Sequence, residues 1–84
     1  MPYQLLILPR AQKQLSAIPK TDYEKIKARI LNLADNPRPV QSKKLSGRDG
    51  WRLRVGNYRA VYEINDKNKQ VVILDIGDRK NIYQ

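Results

Sequence analysis

The sequence contains no cysteine and no histidine, and these two absences close off much of the usual chemistry of small proteins. Without thiols there is neither a disulfide framework nor a cysteine nucleophile. Without imidazole there is no histidine base, and a zinc or iron site loses its commonest ligands. Long apolar runs are also missing. The run Leu5-Leu6-Ile7-Leu8 is far too short for a signal segment or a membrane span, so a cytoplasmic protein without a membrane partner is expected. Acidic residues are scarce: eight Asp and Glu face seventeen Lys and Arg, giving a net charge of +9 and a pI near 10.1. Such an excess calls for a polyanionic partner, nucleic acid first and an acidic protein second.

What remains is a chain of 84 residues, enough for one domain over 1–84 and for burial of roughly 60 to 65% of the unfolded surface. Tyr3 to Leu8 is β-prone and ends at Pro9; its near-continuous apolarity predicts a buried strand. Ala11, Leu15 and Ile18 recur at helical spacing until Pro19. Thr21-Asp22-Tyr23-Glu24 has the spacing of a capping box, and Tyr23, Ile26, Ile30, Leu33 and Ala34 follow on one face, predicting a second helix that ends near Asn36-Pro37. Arg38 to Gly50 reads as a loop. Within it Arg38, Lys43, Lys44 and Arg48 are candidate phosphate contacts, although such runs are more often solvated surface. Three strands follow, Trp51 to Val55, Tyr58 to Ile64 and Val71 to Ile76, separated by turn-like Gly56-Asn57 and Asn65 to Lys69. The expected fold is α+β, in the order β-α-α-β-β-β, with an antiparallel meander and a helical hairpin on one face.

The two-residue turn at Gly56-Asn57 fixes a register. Val55 should pair with Tyr58, Arg54 with Arg59, Leu53 with Ala60, Arg52 with Val61 and Trp51 with Tyr62, and directly paired residues share a face. Trp51, Leu53, Val55, Tyr58, Ala60 and Tyr62 then form the core face, while Arg52, Arg54, Arg59, Val61 and Glu63 form the other. A slip by one residue would send the arginines inward. Clustering three guanidinium groups is unfavourable unless water, Glu63 or an anionic ligand offsets it. Arginine's planar, permanently charged fork matches phosphate oxygens, which favours the ligand.

The segment from Trp51 through Tyr62, Trp51-Arg52-Leu53-Arg54-Val55-Gly56-Asn57-Tyr58-Arg59-Ala60-Val61-Tyr62, resembles the RelE/ParE toxin superfamily, as does Gly77-Asp78-Arg79-Lys80-Asn81-Ile82-Tyr83. The order of elements agrees over nearly the whole chain. The resemblance implies a toxin of a toxin–antitoxin pair: a ribosome-dependent endoribonuclease that cuts messenger RNA in the aminoacyl site by attack of the RNA's own 2′-hydroxyl. It implies no metal or cofactor. By motif it assigns catalytic positions to Arg52, Arg54, Arg59, Arg79 and Tyr83. Arg52 and Arg54 would clamp the backbone, Arg59 would stabilise the five-coordinate phosphorus, Arg79 would neutralise the leaving oxygen, and Tyr83 would stack on a base or serve in proton transfer.

Some relatives carry lysine at the positions of Arg52 and Arg54, and many carry histidine at Asp78, so Glu63 and Asp78 stay open as candidate bases. Many also continue into a C-terminal helix. The expected partners are the ribosome, messenger RNA and a cognate acidic antitoxin in a hetero-oligomer. Two other readings stand beside this one: a ParE-like toxin that inhibits DNA gyrase without cutting RNA, and a non-catalytic RNA-binding module.

Overall fold

The computed structural model describes residues 2–47 and 49–78. Strand β1 (Gln4–Ile7) leads into helices α1 (Pro9–Ser16) and α2 (Lys20–Asn32), then strands β2 (Ser42–Lys44), β3 (Trp51–Val55), β4 (Tyr58–Asn65) and β5 (Gln70–Asp78). The strands form one sheet in the order β1-β5-β4-β3-β2, antiparallel except where β1 pairs parallel with β5. Helix α1 packs chiefly on β5 and α2 on β3.

The helices place their apolar residues one turn apart on the sheet side. Ala11 and Leu15 of α1 and Ile26 and Ile30 of α2 are buried against Leu53, Val55, Ala60, Tyr62, Val71, Ile73 and Ile76. With no phenylalanine in the chain, Tyr62 supplies the largest fully buried side chain among the described residues. Its hydroxyl donates to the Pro37 carbonyl at 2.7 Å, so the polar tip is satisfied and the loop after α2 is tied to the sheet.

Four expectations are corrected. Arg38 to Gly50 is not wholly loop: Ser42–Lys44 pairs with β3, a strand too short and too polar to show alternation. The first strand is not buried. β1 lies at the sheet edge with alternating exposed and half-buried residues, because both helices cover the same face and leave Leu6 open on the other. Thr21 does not cap α2. Pro19, extended at ψ 144°, takes the cap position, and its carbonyl accepts the Tyr23 N–H at 2.8 Å, so the helix starts before Thr21. At its far end α2 stops at Asn32 and tightens into i→i−3 bonds at Leu33, Ala34 and Asp35, short of Asn36-Pro37.

Strand β5 is longer than its apolar residues announce. Its pairing with β4 shifts between Val61 and Tyr62, which face Asp75 and Ile73, so Leu74 is the extra residue of a bulge. Beyond Ile73 the strand also loses its β1 neighbour. Gln14 of α1 stands in for that missing strand: its Oε1 accepts the Ile76 N–H at 2.8 Å, and its Nε2 donates to Asp75 Oδ1 at 2.6 Å. Arg10 adds an ion pair to Asp75 at 3.6 Å. Gln14→Leu leaves a half-buried backbone donor and a carboxylate without these bonds, and should cost about 1 to 3 kcal/mol in urea unfolding. A stability equal to wild type would show that this clamp does not hold the strand.

Candidate nucleic-acid interface

The hairpin is built as its turn requires. Gly56 has φ +59° and Asn57 does not share that sign, the pattern of a type II′ turn, whose twist matches that of the flanking strands. The observed pairs are Val55 with Tyr58, Arg54 with Arg59, Leu53 with Ala60, Arg52 with Val61 and Trp51 with Tyr62, the register expected from the sequence. The Arg54 N–H points away from β4 and donates to the Gln41 carbonyl at 3.3 Å. Arg54 and Arg59 are therefore a non-hydrogen-bonded pair, the closer kind, with Cβ atoms about 4.5 to 5.5 Å apart. Arg52 lies two residues along, roughly 6.6 Å from Arg54 at about 3.3 Å per residue.

Strand β2 adds a further cation, since Lys43 pairs with Arg52 and shares its face. Lys43, Arg52, Arg54 and Arg59 thus occupy one face of three adjacent strands, away from the helices. Arg54 and Lys43 are exposed, whereas Arg52 and Arg59 are half-buried and the Arg59 Nε is buried. Val61 beside them is buried yet lies outside the main core. The arrangement offers a rigid, positively charged floor with a partly sequestered guanidinium at one end, suited to holding a phosphodiester and stabilising added charge on phosphorus.

The other loop cations do not join this face. Lys44 pairs with Trp51, and its Nζ stands 6.0 Å from the indole centroid; the Arg38 guanidinium stands 5.3 Å from the same ring. Arg38 also binds Asp66 in the β4–β5 turn at 2.8 Å, where the Tyr3 hydroxyl donates to the same carboxylate at 2.5 Å. Arg38, Lys44, Trp51 and Asp66 border a cavity of about 720 Å³ in which Arg38, Lys44 and Lys67 meet Asp49, Glu63 and Asp66. Its balanced charge fits a polyanion poorly, so the larger hollow is a weaker candidate than the arginine face. Arg48, Arg79 and Tyr83 lie outside the described residues.

Of the two carboxylates left open as bases, Glu63 is four residues from Arg59 along β4, roughly 13 Å at about 3.3 Å per residue. Asp78 pairs with Tyr58, beside the Arg59–Gly77 pair, and so stands at the same end of the sheet as the arginines but on the helix-side face. The role of Arg38 as a tie between loop and turn is not legible in the sequence, where the aromatic Tyr3 and Trp51 near cationic and acidic turns are its only trace.

A model of the ParE toxin family of type II toxin–antitoxin systems, parDE, matches residues 5–83. Among curated proteins, the chain is 30% identical to the putative toxin RelE1 of Methanocaldococcus jannaschii, over 100% of this chain and 98% of that one. It is 29% identical to the mRNA interferase toxin RelE of Escherichia coli, over 95% and 86%. Among solved structures, the RelE–RelB complex of Pyrococcus horikoshii aligns at TM-score 0.85 with 31% identity, covering 96% of this chain and 99% of that one. The RelBE2 complex of Mycobacterium tuberculosis aligns at 0.83 with 26% identity, covering 94% and 100%. A small α+β toxin of a toxin–antitoxin pair is the class that these likenesses define. The chain belongs to the ParE toxin family, within the RelE/ParE superfamily.

The hydrogen bond from Arg38, and after it the one from Tyr3, holds the Asp66 carboxyl below the ordinary aspartate range. A lowered folded-state value means that the pair's contribution is present above the unfolded aspartate value and is lost as pH falls through the folded one. In Arg38→Gln the Asp66 carboxyl should titrate closer to an ordinary aspartate when followed by carbon-13 NMR. An unchanged midpoint would assign the effect to Tyr3 and free Arg38 for another role.

Proposed function

We propose that the chain is an endoribonuclease of the RelE type, an mRNA interferase that acts on ribosome-bound messenger RNA and is neutralised by a cognate antitoxin. The observation that carries this reading is the in-register pair Arg54–Arg59, flanked by Arg52 and Lys43 on one face of the sheet. A toxin that only binds a protein target has no need to place like charges directly opposite one another. A phosphodiester about to gain charge does.

In this reading Arg52 and Arg54 grip the RNA backbone on either side of the scissile phosphate. Arg59, half-buried, has its direction constrained by its surroundings and meets the developing negative charge on the phosphoryl oxygens. The nucleophile is the RNA 2′-hydroxyl, which attacks phosphorus and expels the 5′-oxygen, leaving a 2′,3′-cyclic phosphate and a 5′-hydroxyl. Neither Asp78, which shares the helix-side face with Tyr58, nor Glu63, four residues along β4 from Arg59, stands beside the arginine cluster as a base for the 2′-proton. Arg79 and Tyr83, by the motif they share with the superfamily, would serve the leaving group and an adjacent base. The reaction is proposed to proceed without a metal. RelE relatives named as mRNA interferases, and RelE structures solved with RelB antitoxins, support the activity and the partner.

The family model's description as ParE favours a second reading, gyrase inhibition without RNA cleavage. Primer extension on a translated message after induction separates the two. Wild type should give cuts confined to translated codons, while Arg59→Ala should reduce cleavage about 100-fold or more with folding intact. Growth arrest without cuts in any transcript would overturn the ribonuclease reading in favour of the second.

A further inference from the structure

The cationic surface does not end at the arginine face but turns the β2 edge of the sheet. A groove of about 490 Å³ there is lined by Arg29, Val40, Gln41, Lys43, Arg54 and Gly56. Three of these six are cations and none is acidic, in contrast to the mixed cavity at the other end of the molecule. The cations come from three different elements: Arg29 from the last turn of α2, Lys43 from β2 and Arg54 from β3. The backbone bond from Arg54 to Gln41 fixes one wall to the strand carrying the interface. At the hairpin end, no heavy atom lies within 4 Å of where a Gly56 Cβ would stand, so the groove is open.

A basic residue near a helix C-terminus has an ordinary explanation in the helix dipole. That accounts for a cation on the last turn of α2 but not for its sharing a groove with Lys43 and Arg54. Nor does it account for Val40, which is 96% exposed and lines the same groove. An apolar side chain bordered by cations matches a single nucleic-acid strand, whose phosphates take the charges while a base covers the apolar surface.

We infer that this groove holds single-stranded RNA flanking the phosphate on the arginine face, with Arg29 as a backbone contact and Val40 as the apolar rest for a base. The inference rests on the ribonuclease reading for its choice of RNA, and on continuity through Arg54 and Lys43 for its path.

The test uses the full chain and uncleavable 2′-O-methyl oligoribonucleotides, a trinucleotide and a nonanucleotide, with affinity read by fluorescence anisotropy from low to moderate salt. Cleavage is not the readout, so a failed ribonuclease reading and a failed groove give different results. Arg29→Gln should weaken nonanucleotide binding roughly threefold to tenfold and lower the slope of log affinity against log salt by about 0.7, the loss of one single-strand phosphate contact. Trinucleotide binding should stay at the wild-type level, and Arg29→Lys should restore the slope. Circular dichroism melting of each variant guards against a folding defect, and Val40→Asp, which leaves every cation in place, should weaken the nonanucleotide by itself. Unchanged nonanucleotide affinity and slope in Arg29→Gln would overturn the inference, as would an equal loss for both lengths. Weakened antitoxin binding with RNA binding intact would overturn it too, assigning the groove to the acidic protein partner.

Discussion

Arg54 and Arg59 face one another across the shortest span that an antiparallel pair allows, and the layout of the cationic face follows from that juxtaposition. The two-residue turn sets the pairing, the pairing sets which side chains go to the helices, and the core residues Leu53, Val55, Ala60 and Tyr62 prevent a slip. Burial of apolar surface on one face thus forces like charges together on the other. The same register brings Lys43 alongside Arg52 through β2, and carries β5 far enough for Gly77 to lie opposite Arg59.

The face depends on devices at both of its margins. On one side, α1 completes the unpaired stretch of β5 through Gln14, where β1 has ended and a bulge has shifted the strand. On the other, the chain after α2 is held by Tyr62 at Pro37 and by Arg38 at Asp66, which sets the path into β2 and so the position of Lys43. Neither device touches a ligand in the proposed reaction. Both keep the strands that carry the cations in fixed positions, which electrostatic stabilisation of a transition state requires.

The hairpin register was legible because turn length and alternation constrain it twice over, and the arginine face came with it. The helices were legible from the spacing of Ala11, Leu15, Ile26 and Ile30, but their ends were not. Pro19 can cap a helix through backbone conformation alone, so Thr21 gave a false start. β2 was hidden because Ser42-Lys43-Lys44 carries no apolar alternation; its place is dictated by β3, a tertiary fact. The edge position of β1 was missed for a related reason, since an apolar run looks alike whether one or both faces are covered. Arg38 and Lys44 lie close to Lys43 in sequence, yet strand alternation and a cation–π contact to Trp51 take them elsewhere. Arg29, on a helix, gave no hint that it would share a groove with Arg54.

The central claim is that the fold holds guanidinium groups together against their mutual repulsion to meet an anion. Urea unfolding of wild type and Arg54→Gln across salt concentration tests it most directly. Opposed like charges destabilise, so Arg54→Gln should be more stable than wild type at low salt, by about 0.2 to 1 kcal/mol, with the gap closing as salt rises. A variant less stable than wild type at low salt would contradict the account, because Arg54 would then be contributing to the fold itself.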